Sequence, residues 1–297
     1  MNWLKFLRQI EIRILTNPIT MKNILVTTDF SANSKAGMRF AIQMASQQEC
    51  ELTFFHSYHI MKPTSWGEKT FSSYENHEAT KIKAKLEKFV ASVYAGMDMI
   101  PGKIHHVTVS SFITDANIMK YAKEKGFDLI CIGRRGAGQV KKIFGTITSN
   151  LILDSRVPVI AVPNTYKQTK IKSILYASDL SDLEKEMKKV VEFAGLFGAE
   201  IEILHLNYPS DIVFDSKVIE NVIHKFPKSN IKYSLENINM LYNLVVNLQA
   251  AIKKHKPSVL VMFTDQQQGF FQKLFLSSST AEYSLNSSVP LLVYPKK

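Results

Sequence analysis

The sequence predicts an α/β protein made of two tandem doubly wound domains, each an open five-stranded parallel sheet flanked by helices. Three observations predict it. The chain repeats itself: KNILVTTDFS at 22–31 returns as KSILYASDLS at 172–181, and VPVIAVP at 157–163 returns as VPLLVYP at 289–295. A repeat of this size sets the whole architecture and precedes any local reading. Within each copy, short β-rich runs alternate with helical periodicity, the pattern of parallel βαβ crossovers with both sheet faces covered. Length is the third: 297 residues, 45% of them apolar, suit two cores of ordinary size. The expected boundaries are an extension at 1–20, a first domain at 21–163, a polar linker at 164–169 and a second domain at 170–297.

The first copy opens with a strand over Ile24–Thr28, after which Asp29-Phe30-Ser31 supplies capping chemistry for a helix carrying Ala36, Phe40, Ala41 and Met44. A second strand over Leu52–Phe55 ends in His56. A long charged helix covers 71–95 through Ile82, Leu86, Phe89 and Val93. Ile104–Val109 alternates as a third strand, and a helix follows over 113–125. Asp128–Ile132 is an apolar strand that delivers the chain into Gly133, before a helix over 147–154 and a last strand over 157–162. The second copy repeats the order with strands at 174–177, 201–204, 231–235, 259–263 and 289–294. It lacks a helix as long as the one at 71–95.

Composition narrows the function. Net charge is +11, spread along the chain, with one local concentration around Lys120, Lys123, Lys125, Arg134, Arg135, Lys141 and Lys142. No interleaved aromatics or helix-turn-helix pattern accompany it, so attraction for an anionic ligand is favoured over nucleic-acid binding. Cys50 and Cys131 have no metal or CxxC spacing, which points to a reducing, cytoplasmic setting. No apolar run is long enough to span a membrane. In residues 1–20, Arg8, Glu11 and Arg13 interrupt any secretory core. Trp3, Leu4, Leu7, Ile10 and Ile14 fall on one helical face, which a membrane-surface reading would use. An extension upstream of a start at Met21 is the plainer expectation, since the second copy has no counterpart.

Ligands of open α/β sheets bind beyond the carboxyl ends of the strands, near the switch point in strand order. Asp29 sits at the end of the first strand and Gly133 at the end of the fourth. The loop 133–146 carries Gly133, Gly136, Gly138 and Gly145-Thr146, glycines where backbone approaches something closely. Gly145-Thr146 opens a helix whose N–H groups face an anion, with the Thr146 hydroxyl adding a hydrogen bond. With no ligand, the same loop is a tight strand-to-helix turn. Neither GxxxxGK[ST] nor GxGxxG after the first strand is present, so a P-loop ATPase and a dinucleotide dehydrogenase are not expected.

The motifs ILVTTDFS, FFHS, DLICIGRRGAG, FGTIT and SRVPVIAVP resemble the universal stress proteins in their tandem two-domain form, over residues 21–297. The resemblance implies the adenine nucleotide alpha hydrolase-like fold and, in the first domain, ATP as a ligand, with or without Mg2+. Many members bind it through a GxxG–nine residues–G(S/T) motif. Transferred to matching positions, Asp29 holds the ribose and adenine side, and Ser57 and Ile132 line the base. Gly133, Arg135, Gly136 and Gly138 approach the ribose and phosphates, and Gly145, Thr146 and Ile147 hold the phosphates. Two departures stand out: eight residues separate Gly136 from Gly145, and Ser57 replaces a small aliphatic side chain. In the second copy Asp179 survives, but Phe263 occupies the place of the first glycine, and 269–275 reads as an apolar segment. The implied role is a stress-response protein acting by nucleotide-dependent conformation or partner binding. The two halves would form an internal pseudo-dimer through their fifth strands, with homodimerisation and an unidentified protein partner open. A nucleotide-free interaction protein and a slow ATP hydrolase are the alternatives.

Overall fold

The computed structural model describes residues 21–134, 145–207, 216–264 and 288–295. Strand β1 (Asn23–Thr27) leads into helix α1 (Ser34–Ala45), β2 (Glu51–Tyr58), α2 (Glu68–Met97), β3 (Ile104–Ser110), α3 (Thr114–Glu124), β4 (Leu129–Gly133), α4 (Thr146–Asp154) and β5 (Val159–Val162). The second half follows with β6 (Ser173–Ala177), α5 (Leu183–Gly195), β7 (Glu200–Asn207), α6 (Lys217–Ile223), β8 (Ile231–Asn237), α7 (Leu244–His255), β9 (Val259–Thr264) and β10 (Leu291–Pro295).

The ten strands among the described residues form one sheet in the order β3-β2-β1-β4-β5-β10-β9-β6-β7-β8. Each half has the doubly wound order, and within each half the pairing is parallel. The halves meet at β5 and β10, which run antiparallel with Leu291 opposite Ala161 and Val293 opposite Val159. The fifth strands thus cover each other's edges, as expected. The outer strands β3 and β8 remain edges of the continuous sheet.

The period-two alternation of the strands sorts the core into two layers. On one face Ile24, Val26, Phe54 and Cys131 pack with Phe40 of α1 and Leu86 and Val90 of α2. On the other, Leu25, Phe55, Ile130 and Ile132 pack with Ile118 of α3 and Leu151 of α4. Both layers run through the β5–β10 seam, where Ile160 and Leu292 share the first cluster, and Ala161, Leu291 and Val293 the second.

Of the boundaries that differ from expectation, two lie beside the ends of β1 and β2. Strand β2 continues through His56, Ser57 and Tyr58, because those polar residues still have β3 partners in Thr108, Val109 and Ser110. Helix α1 starts at Ser34, not at the Asp29–Ser31 step. Between them the chain turns through Phe30 at φ +62°, a left-handed residue that no helix start accommodates.

Leu292 is fully buried in the seam between the halves. Leu292→Ala is expected to lower stability by about 2–5 kcal/mol, read as a shifted urea midpoint by circular dichroism.

Candidate functional site

Strands β1 and β4 are neighbours, with Val26 opposite Cys131, and the order of each half reverses direction between them. Asp29 leaves the carboxyl end of β1 in a tight turn. Its Oδ1 accepts from Ser31 N at 3.0 Å, and Thr28 Oγ1 accepts from Phe30 N at 3.0 Å while bonding Ser34 Oγ at 2.8 Å. Ser31 Oγ in turn accepts from Ser34 N at 3.1 Å. A left-handed non-glycine residue costs roughly 1–2 kcal/mol, and these bonds hold Phe30 in place.

His56 braces the same turn. Its Nδ1 lies 2.8 Å from the Thr28 carbonyl oxygen, so Nδ1 carries the proton and donates. The imidazole rests on the Phe30 ring, centroids 4.2 Å apart, and Lys85 Nζ lies over that ring at 4.4 Å. Burial lowers the His56 pKa below the usual histidine value; the Thr28 bond opposes the shift, Lys85 adds to it and Asp29 opposes it.

Gly133 has a reason visible in the backbone. A Cβ there would lie 2.9 Å from the Asn33 carbonyl oxygen, and a Cβ on Gly37 would lie 3.0 Å from Gly133 N. Helix α1 therefore sits backbone against backbone on the end of β4. The next residue, Arg134, was expected to add positive potential over the glycine loop. It is buried instead: its N–H donates to Val162 O at 2.7 Å and its Nη2 to Val289 O at 3.1 Å, across the seam between halves.

Gly145 N donates to Arg134 O at 3.0 Å and closes the base of the loop. Arg135, Gly136, Gly138, Lys141 and Lys142 lie outside the described residues. Beyond them α4 begins from Gly145 in extended conformation, and no described side chain caps it. Thr146 and Ile147 are exposed there, while the Thr148 hydroxyl donates to Gly133 O at 3.0 Å and ties helix to strand. Ile132 belongs to the α3–α4 side of the sheet. Ser57, two residues beyond Phe55, points to that side too, and its Oγ accepts from Asn117 Nδ2 of α3 at 3.4 Å. The structure thus brings Ile132, Ser57 and the start of α4 to one face, with Asp29 and Gly133 at the adjoining strand ends.

The second half keeps the turn and loses the close approach. Asp179 Oδ1 accepts from Ser181 N at 3.0 Å, Leu180 has φ +65°, and His205 Nδ1 lies 2.9 Å from Ser178 O. His56 and His205 are therefore equivalent features of the fold. Register aligns Gly133 with Phe263, since Ile24 faces Leu129 and Ile174 faces Val259. Phe263 stacks on Tyr294 at 5.2 Å and meets the edge of Tyr176 at 5.7 Å. By the same alignment Met187 replaces Gly37, and it is fully buried. Residues 269–275 lie outside the described residues.

Sequence reasoning missed the polar part of this filling. Glu186 lies in the first turn of α5 beside Glu184, but it is buried, and its Oε2 accepts from the Tyr176 hydroxyl. Ser178 Oγ donates to the same hydroxyl at 2.8 Å. The available signal was Tyr176 standing where the first copy has Val26. His105 and His106, neighbours on β3, diverge: His105 reaches Glu51 at 3.4 Å, and His106 stacks on Phe54. Among the described residues no group of three or more His, Cys, Asp or Glu is placed to hold a metal, and no helix is long and apolar enough to cross a membrane.

Residues 20–163 match the model of the universal stress protein family. A universal stress protein of Methanocaldococcus jannaschii is 22% identical over 156 residues, covering 48% of this chain and 96% of the relative. The solved structure of a universal stress protein from Archaeoglobus fulgidus is similar with a TM-score of 0.67 at 17% identity, covering 94% of this chain and all of that one. A putative universal stress protein from Pseudomonas aeruginosa is similar with a TM-score of 0.54 at 14% identity, covering 93% and 94% of the two chains. At these identities the two structures establish the fold.

Two outcomes are expected at this site. Gly133→Ala should destabilise the protein by about 1–3 kcal/mol in urea titration, because the added methyl meets the Asn33 carbonyl. For His56, the folded pKa lies below the unfolded one, so the unfolded chain binds more protons in that interval and stability rises with pH through it. Acidification below about pH 6.5 should therefore cost stability, and His56→Asn should make the denaturant midpoint less sensitive to pH over that range.

Proposed function

Through residues 20–163 this chain belongs to the universal stress protein family, and from that premise we propose that its first half binds an adenine nucleotide, ATP being the expected one. The observation that supports this most is the shared location of Asp29, Gly133 and the start of α4 at the carboxyl ends of β1 and β4, where strand order reverses. The first N–H groups of α4 offer partial positive charge to a phosphate, and Gly145 leaves them unobstructed by a side chain. Asp29 presents a carboxylate to ribose hydroxyls, while Ile132 and Ser57 offer a mixed wall for a base. Arg135, Gly136, Gly138, Thr146 and Ile147 complete the proposed set. Mg2+ would enter with the phosphates, which supply most of its ligands in such sites.

The second half differs at the position equivalent to Gly133, where Phe263 packs with Tyr294, Tyr176 and Met187 in the core on the α5 side of the sheet, and its proposed role is that of a structural and partner-facing unit. The chain would act as a cytoplasmic stress-response protein whose nucleotide state alters conformation or partner binding, with the internal pairing of halves replacing a dimer. A nucleotide-free interaction protein is the second reading. It is favoured by one fact: the contact between Gly133 and Asn33 gives this glycine a packing reason without any ligand.

A thermal-shift titration decides between them. ATP at about 100 times its dissociation constant should stabilise the folded chain by about 2.7 kcal/mol, a rise of several degrees. Asp29→Ala and Gly145→Val should each abolish the rise. No response at millimolar ATP, together with no nucleotide in mass spectra of the protein as purified, would leave the interaction reading. Phosphate release that disappears in both variants would instead identify slow hydrolysis.

A further inference from the structure

At the carboxyl ends of β2 and β3 the first half leaves two aromatic rings in solvent. Phe112 is 83% exposed, and its ring lies against that of exposed His59, centroids 3.5 Å apart and planes tilted by 35°. The neighbouring Ile113 is exposed as well. Isolated apolar side chains on a surface are ordinary. A ring pair set on two adjacent strand ends is different, because it presents a preformed flat face.

The backbone fixes the pair. Ser57 faces Val109 and Tyr58 faces Ser110 in register. Ser111 N then donates to Tyr58 O at 2.7 Å, and Ser111 Oγ accepts from Ile113 N at 3.3 Å. His59 and Phe112 therefore leave the sheet side by side, just beyond the Ser57–Val109 pair, next to the wall that Ser57 and Ile132 offer to a base. The Ser57 end of that wall is polar, its Oγ accepting from Asn117 Nδ2 at 3.4 Å.

The second half has the same strand ends without the pair. Leu52 faces Ile104 and Ile201 faces Ile231, so Ile238 corresponds to Ser111 and Asn239 to Phe112. Ile238 N donates to Asn207 O at 2.9 Å, the equivalent of the Ser111–Tyr58 bond. Asn239 is tied down locally: its N–H donates to Asn247 Oδ1 at 2.8 Å, and its Oδ1 accepts from Leu241 N at 3.0 Å. Tyr242, the exposed ring of that loop, follows a further turn closed by its own N–H on Asn239 O at 3.0 Å. The copies thus differ at this strand end as they differ at Gly133.

We propose that Phe112, backed by His59, is the shelf on which the base stacks in the first half's site, and that it favours purines. Every base offers a flat π face to an aromatic ring, and the larger purine overlaps more of it. The shelf presupposes a nucleotide in that site and sets which base it prefers.

Nucleotide affinities of the full chain, measured by calorimetry, test it. Phe112→Ala should weaken ATP about tenfold and CTP less, so that the preference for ATP over CTP narrows. Phe112→Trp in a Trp3→Phe, Trp66→Phe background keeps a flat face and leaves one indole. ATP should quench the emission of that variant and bind it about as tightly as the parent. An unchanged ATP affinity in Phe112→Ala, with Asp29→Ala abolishing binding, would overturn the shelf and leave the nucleotide site standing. So would equal losses for ATP and CTP alongside a lowered melting temperature, which mark a structural role. No ATP binding by the parent chain would remove site and shelf together. Emission that shifts with protein concentration and not with ATP would overturn the shelf in favour of a second copy covering the ring.

Discussion

The antiparallel pairing of β5 with β10 is the constraint on which the rest of the molecule depends. A five-stranded parallel sheet ends in an exposed edge at its fifth strand, with unpaired N–H and C=O groups that invite association. Here each half closes the other's edge, with Leu291, Leu292 and Val293 opposite Ala161, Ile160 and Val159. Arg134 adds a tie across the same seam, reaching the Val289 carbonyl from the end of β4. That bond offsets part of the cost of burying a guanidinium there. The seam therefore recruits a residue that lies next to the glycine loop, so the geometry of that loop's base is coupled to the second half.

Duplication gives each half the same backbone plan, and the differences between them show what each has been shaped for. In the first half, Gly37 and Gly133 let α1 approach β4 until backbone touches backbone. In the second, Met187, Phe263, Tyr176 and Tyr294 occupy the corresponding region, and the Tyr176 hydroxyl donates to Glu186 and accepts from Ser178. Aromatic stacking and burial stabilise such a cluster strongly. The same volume in the first half is taken by the helix itself. Gly133 is thus necessary for the first half's architecture whatever occupies the crevice beyond it.

The fold was legible because its signals are periodic. Alternation and helical spacing placed every strand and the main helices, and the repeated VP…P segments located β5 and β10. Errors fall where polarity misleads. His56, Ser57 and Tyr58 read as the end of β2 but pair fully with β3. Asp29 and Ser31 read as a helix cap but build a separate turn, because a side-chain oxygen serves a local N–H equally well in either setting. Arg134 reads as part of a positive cluster for an anionic ligand and is buried, as is Glu186, since a sequence does not show which carbonyl or hydroxyl will stand opposite. Of the proposed site, Asp29, Ser57, Ile132, Gly133, Gly145, Thr146 and Ile147 fall in the described residues and Arg135, Gly136 and Gly138 do not.

The paired turns also set the weight that each candidate residue carries. Asp29 and Asp179 make the same bond to the N–H two residues on, Phe30 and Leu180 share a left-handed backbone, and His56 and His205 brace the same carbonyl. A feature present in both halves cannot distinguish a ligand-binding half from a structural one. Asp29 is thus an aimed carboxylate supplied by the fold, and the identity of what it meets is decided elsewhere. The deciding positions are those where the copies differ at the strand ends: Gly37 against Met187 and Gly133 against Phe263. Where the second copy uses side-chain volume, the first uses backbone proximity, which brings α1 onto the end of β4 beside Gly133.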